Sequence, residues 1–119
     1  MDDLKTALDG VADYESAMDR FDGNEGLYER ILKQFEGDKN MDALRQALAA
    51  GDADAAFHAA HSLRGVAGTL DLHVLYAATA PVVEALRVGH VVQAQAGMAA
   101  LEAAYERAQA KISAYFSER

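Results

Sequence analysis

Within AAHSLRGVAGTLDL, residues 59–72, one histidine, one arginine and two glycines recur at helical spacing: His61, Arg64, Gly65 and Gly68. A neutral imidazole nitrogen is a nucleophile, and a guanidinium one turn further on complements the oxygens of a phosphoryl group. The surrounding pattern is that of a helix. Ala56, Ala60, Leu63, Ala67 and Leu70 alternate spacings of four and three, which buries one face. Setting the centre of that stripe at zero and advancing about 100° per residue places His61 at about 140° and Gly68 at about 120°. Gly65 then falls at about 180° and Arg64 at about 80°. His61 and both glycines therefore point away from the core, and His58 and Asp54 share their face.

A glycine inside a helix costs about 0.8–1.0 kcal/mol relative to alanine. Core packing does not explain two of them on an exposed face, and a kink accounts for one at most. Standing four and seven residues after His61, they leave a bare shelf beside the imidazole, across which Arg64 can reach. The combination describes an exposed nucleophile with a phosphate-compatible cation and room for a large partner. A lone surface histidine beside drifting glycines is the bland alternative, and the joint placement on one face argues against it.

The elements around this stretch are all helical in pattern. Proline occurs once, β-branched alternation is absent, and alanine, leucine, glutamate and arginine are common. Leu4, Leu8 and Val11 suggest a short first helix or a turn leading into Tyr14, Met18 and Phe21, with a break at Gly23-Asn24. The stripes Tyr28, Ile31, Leu32, Phe35 and Met41, Leu44, Leu48 are out of phase, which predicts one long helix kinked or broken between Gly37 and Asn40. Asp52 is the expected N-cap of the histidine helix, and Asp71 that of the next. This next helix carries Leu72, Leu75, Tyr76, Thr79, Val83 and Leu86, is kinked at Pro81 and ends at Gly89. A final helix with a sustained three-four repeat runs from Val91 through Met98 and Leu101 to Tyr115. Four long helices with short connections imply antiparallel neighbours. The predicted fold is all-α, an up-down-up-down antiparallel four-helix bundle with a short additional N-terminal helix, in a single domain over 1–119.

Bulk properties narrow the partners. Nineteen acidic against eleven basic side chains give a net charge of −8 with no basic cluster, so nucleic acid and anionic membranes are poor candidates. No cysteine is present, which removes disulfides and thiolate metal sites and fits a reducing cytoplasm, the expected compartment. The start MDDLKTALDG lacks the basic and apolar regions of a signal peptide, and no apolar run approaches the roughly 20 residues of a membrane span. Beginning at Met1 without a linker favours a stand-alone protein, and a bundle of this size suits a monomer.

The stretch His61-Ser62-Leu63-Arg64-Gly65-Val66-Ala67-Gly68-Thr69-Leu70 resembles the signature of histidine phosphotransfer (HPt) domains, H-x-L-K/R-G-x-x-G/A-x-L. The resemblance extends to Tyr14–Asn24, to Leu27-Tyr28 and Leu32–Phe35, to Leu44–Asp52 and to Leu75–Leu86. It implies a four-helix bundle that takes a phosphoryl group from a receiver-domain aspartate and hands it to another receiver. By the same resemblance His61 is the phosphoacceptor, Arg64 the basic position, and Gly65 and Gly68 the small positions. Phe57, His58, Gly65 and Gly68 would belong to the docking surface. Partners implied are response-regulator receivers and a hybrid sensor histidine kinase. The chain would bind no cofactor of its own, with Mg²⁺ on the receiver. Transfer would proceed in line through a loose, metaphosphate-like transition state, Arg64 offsetting charge on the phosphoryl oxygens. No phosphate-binding glycine loop occurs, so the implied protein is a carrier and not an enzyme. Arg64 is arginine where lysine is commoner, and two positions depart from the usual pattern: Thr69 where asparagine is common, and Asp71 where glycine is common. The last suggests a changed turn at the helix end.

Two other readings stand beside this one. A degenerate bundle could dock receivers or kinases without accepting phosphate, against which intact His61 and Arg64 argue. A structural or metal-binding bundle could use Asp54, His58 and His61 on one face, but no Glu-x-x-His pair and no second ligand helix accompany them. His73 and His90 read as surface or capping residues. Tyr28, Tyr76, Tyr105 and Tyr115 fall on apolar stripes and read as core or core-edge.

Overall fold

A computed structural model describes residues 2–119. Among the described residues there are eight helices and no strand. Two short ones, α1 (Leu4–Ala7) and α2 (Tyr14–Arg20), precede α3 (Glu25–Glu36) and α4 (Asn40–Ala49). The histidine helix is α5 (Ala53–Thr69), followed by α6 (His73–Arg87), α7 (Val91–Ala96) and α8 (Met98–Ser117).

Short polar side chains start several of these helices by accepting from an N–H that has no intrahelical partner. Asp13 accepts from the Ser16 N–H at 3.0 Å, Asn24 from that of Leu27 at 3.0 Å, and Asp52 from that of Ala55 at 3.0 Å. Asp52 is thus the cap the sequence predicts. The expected break before Asn40 is also present, with Asp38 accepting from the Met41 N–H at 3.3 Å as the chain re-enters a helix.

Two expectations about helix ends need correction. The last helix is not continuous but is divided at Gly97 into α7 and α8. A Cβ on Gly97 would stand 3.0 Å from Val82 Cγ2, so the close approach of α6 selects a residue without a side chain. Asp71 is not the cap of α6. That position is held by Leu72, with no side-chain capping bond. Instead Asp71 terminates α5. The Leu72 N–H donates to the Ala67 carbonyl at 2.9 Å and the Asp71 N–H to that of Gly68 at 3.2 Å. This is a Schellman ending, and Asp71 occupies its left-handed position at φ 52°.

Helix α5 packs between α4 and α6, its most extensive neighbours, while α6 also meets α7 and α8, and α8 meets α1 and α3. Its buried face is Ala56, Ala59, Ala60, Leu63 and Ala67, ending at buried Leu70. A stripe this rich in alanine lets the flanking helices come close, and the larger core side chains, among them Tyr28, Leu32, Leu44, Leu75 and Leu101, fill the remaining volume. Among the described residues no helix is long and apolar enough to cross a membrane.

Candidate functional site

With its buried stripe fixed between α4 and α6, α5 turns the opposite face to solvent. His61 and Gly65 are exposed, and Arg64 and Gly68 are half-buried at the flank. His61, Arg64, Gly65 and Gly68 line one open groove of about 570 Å³. Phe57 and His58 do not. They line a neighbouring hollow towards the start of α5, which includes Asp54 and Arg87.

The two glycines are not equivalent. A Cβ on Gly65 would meet nothing within 4 Å, so this is the bare shelf that the spacing predicts. A Cβ on Gly68 would stand 3.2 Å from Tyr76 Cε2 and 3.3 Å from Cδ2. Gly68 therefore gives the Tyr76 ring its seat rather than leaving open space. Tyr76, expected at the core or its edge, is 40 % exposed and forms a wall of the groove.

Arg64 also differs from the expected picture. Its Cζ lies 5.1 Å from the centroid of the Tyr76 ring, and its Nη1 is 3.8 Å from Glu84 Oε1. The guanidinium leans towards α6 and rests on the aromatic wall, keeping its charge at the groove's edge. On the other side of His61, the Phe57 ring stacks on the imidazole with centroids 5.6 Å apart and an interplanar angle of 18°. Arg87 lies over the same Phe57 ring at 5.5 Å. His58 meets Phe57 edge-on at 5.7 Å and approaches Asp54 at 3.6 Å. The imidazole of His61 thus has an aromatic backing on one side and the open glycine on the other.

Three groove residues escape the sequence reading. His73, expected to be a surface or capping residue, is the exposed first residue of α6 and lines the groove. Arg20 arrives from α2, more than 40 residues earlier, and its Nε donates to Asp71 Oδ2 at 3.2 Å. Asp71 is the third. Its departure from glycine is the one visible signal that something besides a turn happens there. His90, by contrast, sits at the start of α7 and contacts the Gln93 side chain at 3.0 Å, as a residue at a helix junction should.

The floor of the groove is held from inside. The Tyr28 hydroxyl donates to the Leu70 carbonyl at 2.6 Å in a fully buried bond. This satisfies a carbonyl that the end of α5 would otherwise leave orphaned. Burial pushes the ionisation of Tyr28 well above the usual phenol range, and the nearby Asp71 carboxylate adds to the effect. The phenol therefore stays a donor throughout the physiological range. Among the described residues no three His, Cys, Asp or Glu side chains come together as a metal ion would require.

The Hpt domain family matches the chain over residues 32–111, well over half its length and including all of α4 to α7. Comparison with curated proteins and with solved structures gives no match. The matched span includes the histidine stretch and the resembling segments at 32–35, 44–52 and 75–86, and it leaves 14–24 and 27–28 outside. With its exposed histidine on a helix inside that span, the chain belongs to the Hpt domain family, the histidine-phosphotransfer domains of two-component phosphorelays.

Proposed function

We propose that this chain carries a phosphoryl group on His61 between the aspartates of receiver domains, presented on an up-down-up-down four-helix bundle with a small N-terminal addition. The observation that carries the reading is the exposed imidazole beside the open space over Gly65, across which a receiver's acyl phosphate can reach a ring nitrogen without a side chain in between. An imidazole nitrogen attacks phosphorus, the bond from phosphorus to the aspartate oxygen breaks, and the carboxylate leaves as the N–P bond forms. Little covalent chemistry is asked of the protein, so positioning and charge do the catalysis. Arg64 at the groove's edge offsets charge on the phosphoryl oxygens. The receiver brings the Mg²⁺, and the chain itself needs no cofactor.

Gly65 and Gly68 shape the surface against which the receiver docks, with Phe57 and His58 extending it along α5. The partners are response-regulator receivers and a hybrid sensor histidine kinase, met by a cytoplasmic monomer that has no ATP chemistry of its own. The competing reading is a bundle that docks these partners without accepting phosphate.

Incubation with a pre-phosphorylated receiver separates the two. Wild type should gain acid-labile, base-stable phosphate, and His61→Gln should gain none while keeping its fold and its receiver affinity. Absence of label on wild type across several receivers, with docking intact, would establish the binding-only reading.

A further inference from the structure

We propose that Arg20 is a second phosphoryl-contacting cation of the His61 groove, brought there by α2 and aimed by Asp71. The inference rests on His61 being the phosphoacceptor. Arg20 lies outside the matched family span, and the resemblance at Tyr14–Asn24 assigns it no role. The geometry does. Arg20 lines the same groove as His61 and Arg64. Its Nε is committed to Asp71 Oδ2, and among the described residues neither of its Nη atoms has a hydrogen-bond partner. With its side chain 52 % exposed, Arg20 keeps the paired outer nitrogens of its guanidinium available, the edge that grips phosphoryl oxygens two at a time.

Asp71 is what makes this arrangement specific. It makes three bonds to the α2 region. Its carbonyl accepts from the Asp13 N–H at 2.9 Å, Oδ1 accepts from Ser16 Oγ at 2.9 Å, and Oδ2 accepts from Arg20. An aspartate at the rim of a phosphate groove would repel the phosphoryl group if it were free. Here its charge is engaged by Arg20 and by a hydroxyl, so the residue that could oppose the chemistry instead positions a cation for it. Arg64 is differently placed, leaning on Tyr76 and facing Glu84. The two arginines approach the groove from α2 and from α5, which suits a group that carries negative charge on three oxygens.

The test uses phosphoramidate, a small donor with no receiver surface, so that docking does not enter the rate. The reagent's N–P bond breaks, ammonia leaves, and an imidazole nitrogen takes the phosphoryl group with no change of oxidation state. Phosphorus NMR follows phosphohistidine on wild type, Arg20→Gln and Arg20→Lys, with free imidazole as a reagent control. Arg20→Gln should be labelled about three- to tenfold more slowly, the loss expected for one charge-assisted contact. Arg20→Lys should recover most of that rate, and both variants should melt within about 3 °C of wild type, since the guanidinium is half-exposed and Asp71 keeps its bonds to Ser16 Oγ and the Asp13 N–H. Labelling of Arg20→Gln at the wild-type rate overturns the proposal. So does a loss of rate that Arg20→Lys shares in full alongside a fall in melting temperature, which would make Arg20 a structural clasp only. If free imidazole is labelled and wild type is not, the phosphoacceptor reading of His61 fails, and this inference fails with it.

Discussion

The two ends of the histidine helix solve the same problem with different residues. Before α5, the chain leaves α4 through a Schellman ending whose left-handed position is Gly51, φ 71°, and the residue after it, Asp52, caps the new helix. Each residue does one job. After α5 the same ending recurs, but its left-handed position is Asp71, and the residue after it is Leu72, which caps nothing with its side chain. Asp71 accepts a backbone conformation that favours glycine, at a cost below the 1–2 kcal/mol of an ordinary side chain because aspartate tolerates it. In exchange it fastens α2 to the groove. A helix end that carries only backbone duties takes the residue with the freest backbone. One that also serves a site takes a residue with a useful side chain.

That contrast can be broken by three substitutions at two positions. Asp71→Ala should have the largest effect, about 2–3 kcal/mol in chemical denaturation, because it keeps the left-handed conformation and loses both side-chain bonds to α2. Gly51→Ala should cost about 1–2 kcal/mol, a pure backbone effect, since a Cβ there would meet nothing within 4 Å. Should Asp71→Ala cost less than about 1 kcal/mol, the bonds from Asp71 to Ser16 and Arg20 would contribute almost nothing. Asp71→Gly should have the smallest effect, about 1 kcal/mol or less, because backbone relief offsets the lost bonds. A cost for Asp71→Gly equal to that of Asp71→Ala would remove left-handed strain from the account.

The same two ends also show what could be read from the residues alone. Asp52 follows a glycine and precedes a clear apolar stripe, so its capping role is local and legible. Asp71 precedes an equally clear stripe and reads the same way. What reassigns it is contact with Ser16 and Arg20, more than 50 residues earlier. The exposure of His61 and the open shelf at Gly65 were legible because both follow from helical phase within one element. The Tyr76 wall over Gly68 was not, since it depends on how α6 lies against α5. Nor was the break at Gly97, where the three-four repeat continues on both sides and only the approach of Val82 distinguishes the position. Arg20 carries no local marker of any kind. Single-helix geometry could be deduced, and juxtapositions between helices could not.

The alanine stripe beneath His61 has a consequence for how a signal would travel. Ala56, Ala59, Ala60 and Ala67 have no rotamers to exchange, so the layer between the imidazole and the core holds almost no alternative packings. A switch needs an element with two arrangements of similar energy, and with Leu63 the single longer side chain among those buried on this helix, its buried side offers few. On the proposed reading, gain or loss of the phosphoryl group would leave the bundle's shape unaltered. A partner would then recognise the loaded state by touching the groove itself, and the message would exist as a chemical group in transit rather than as a change of conformation.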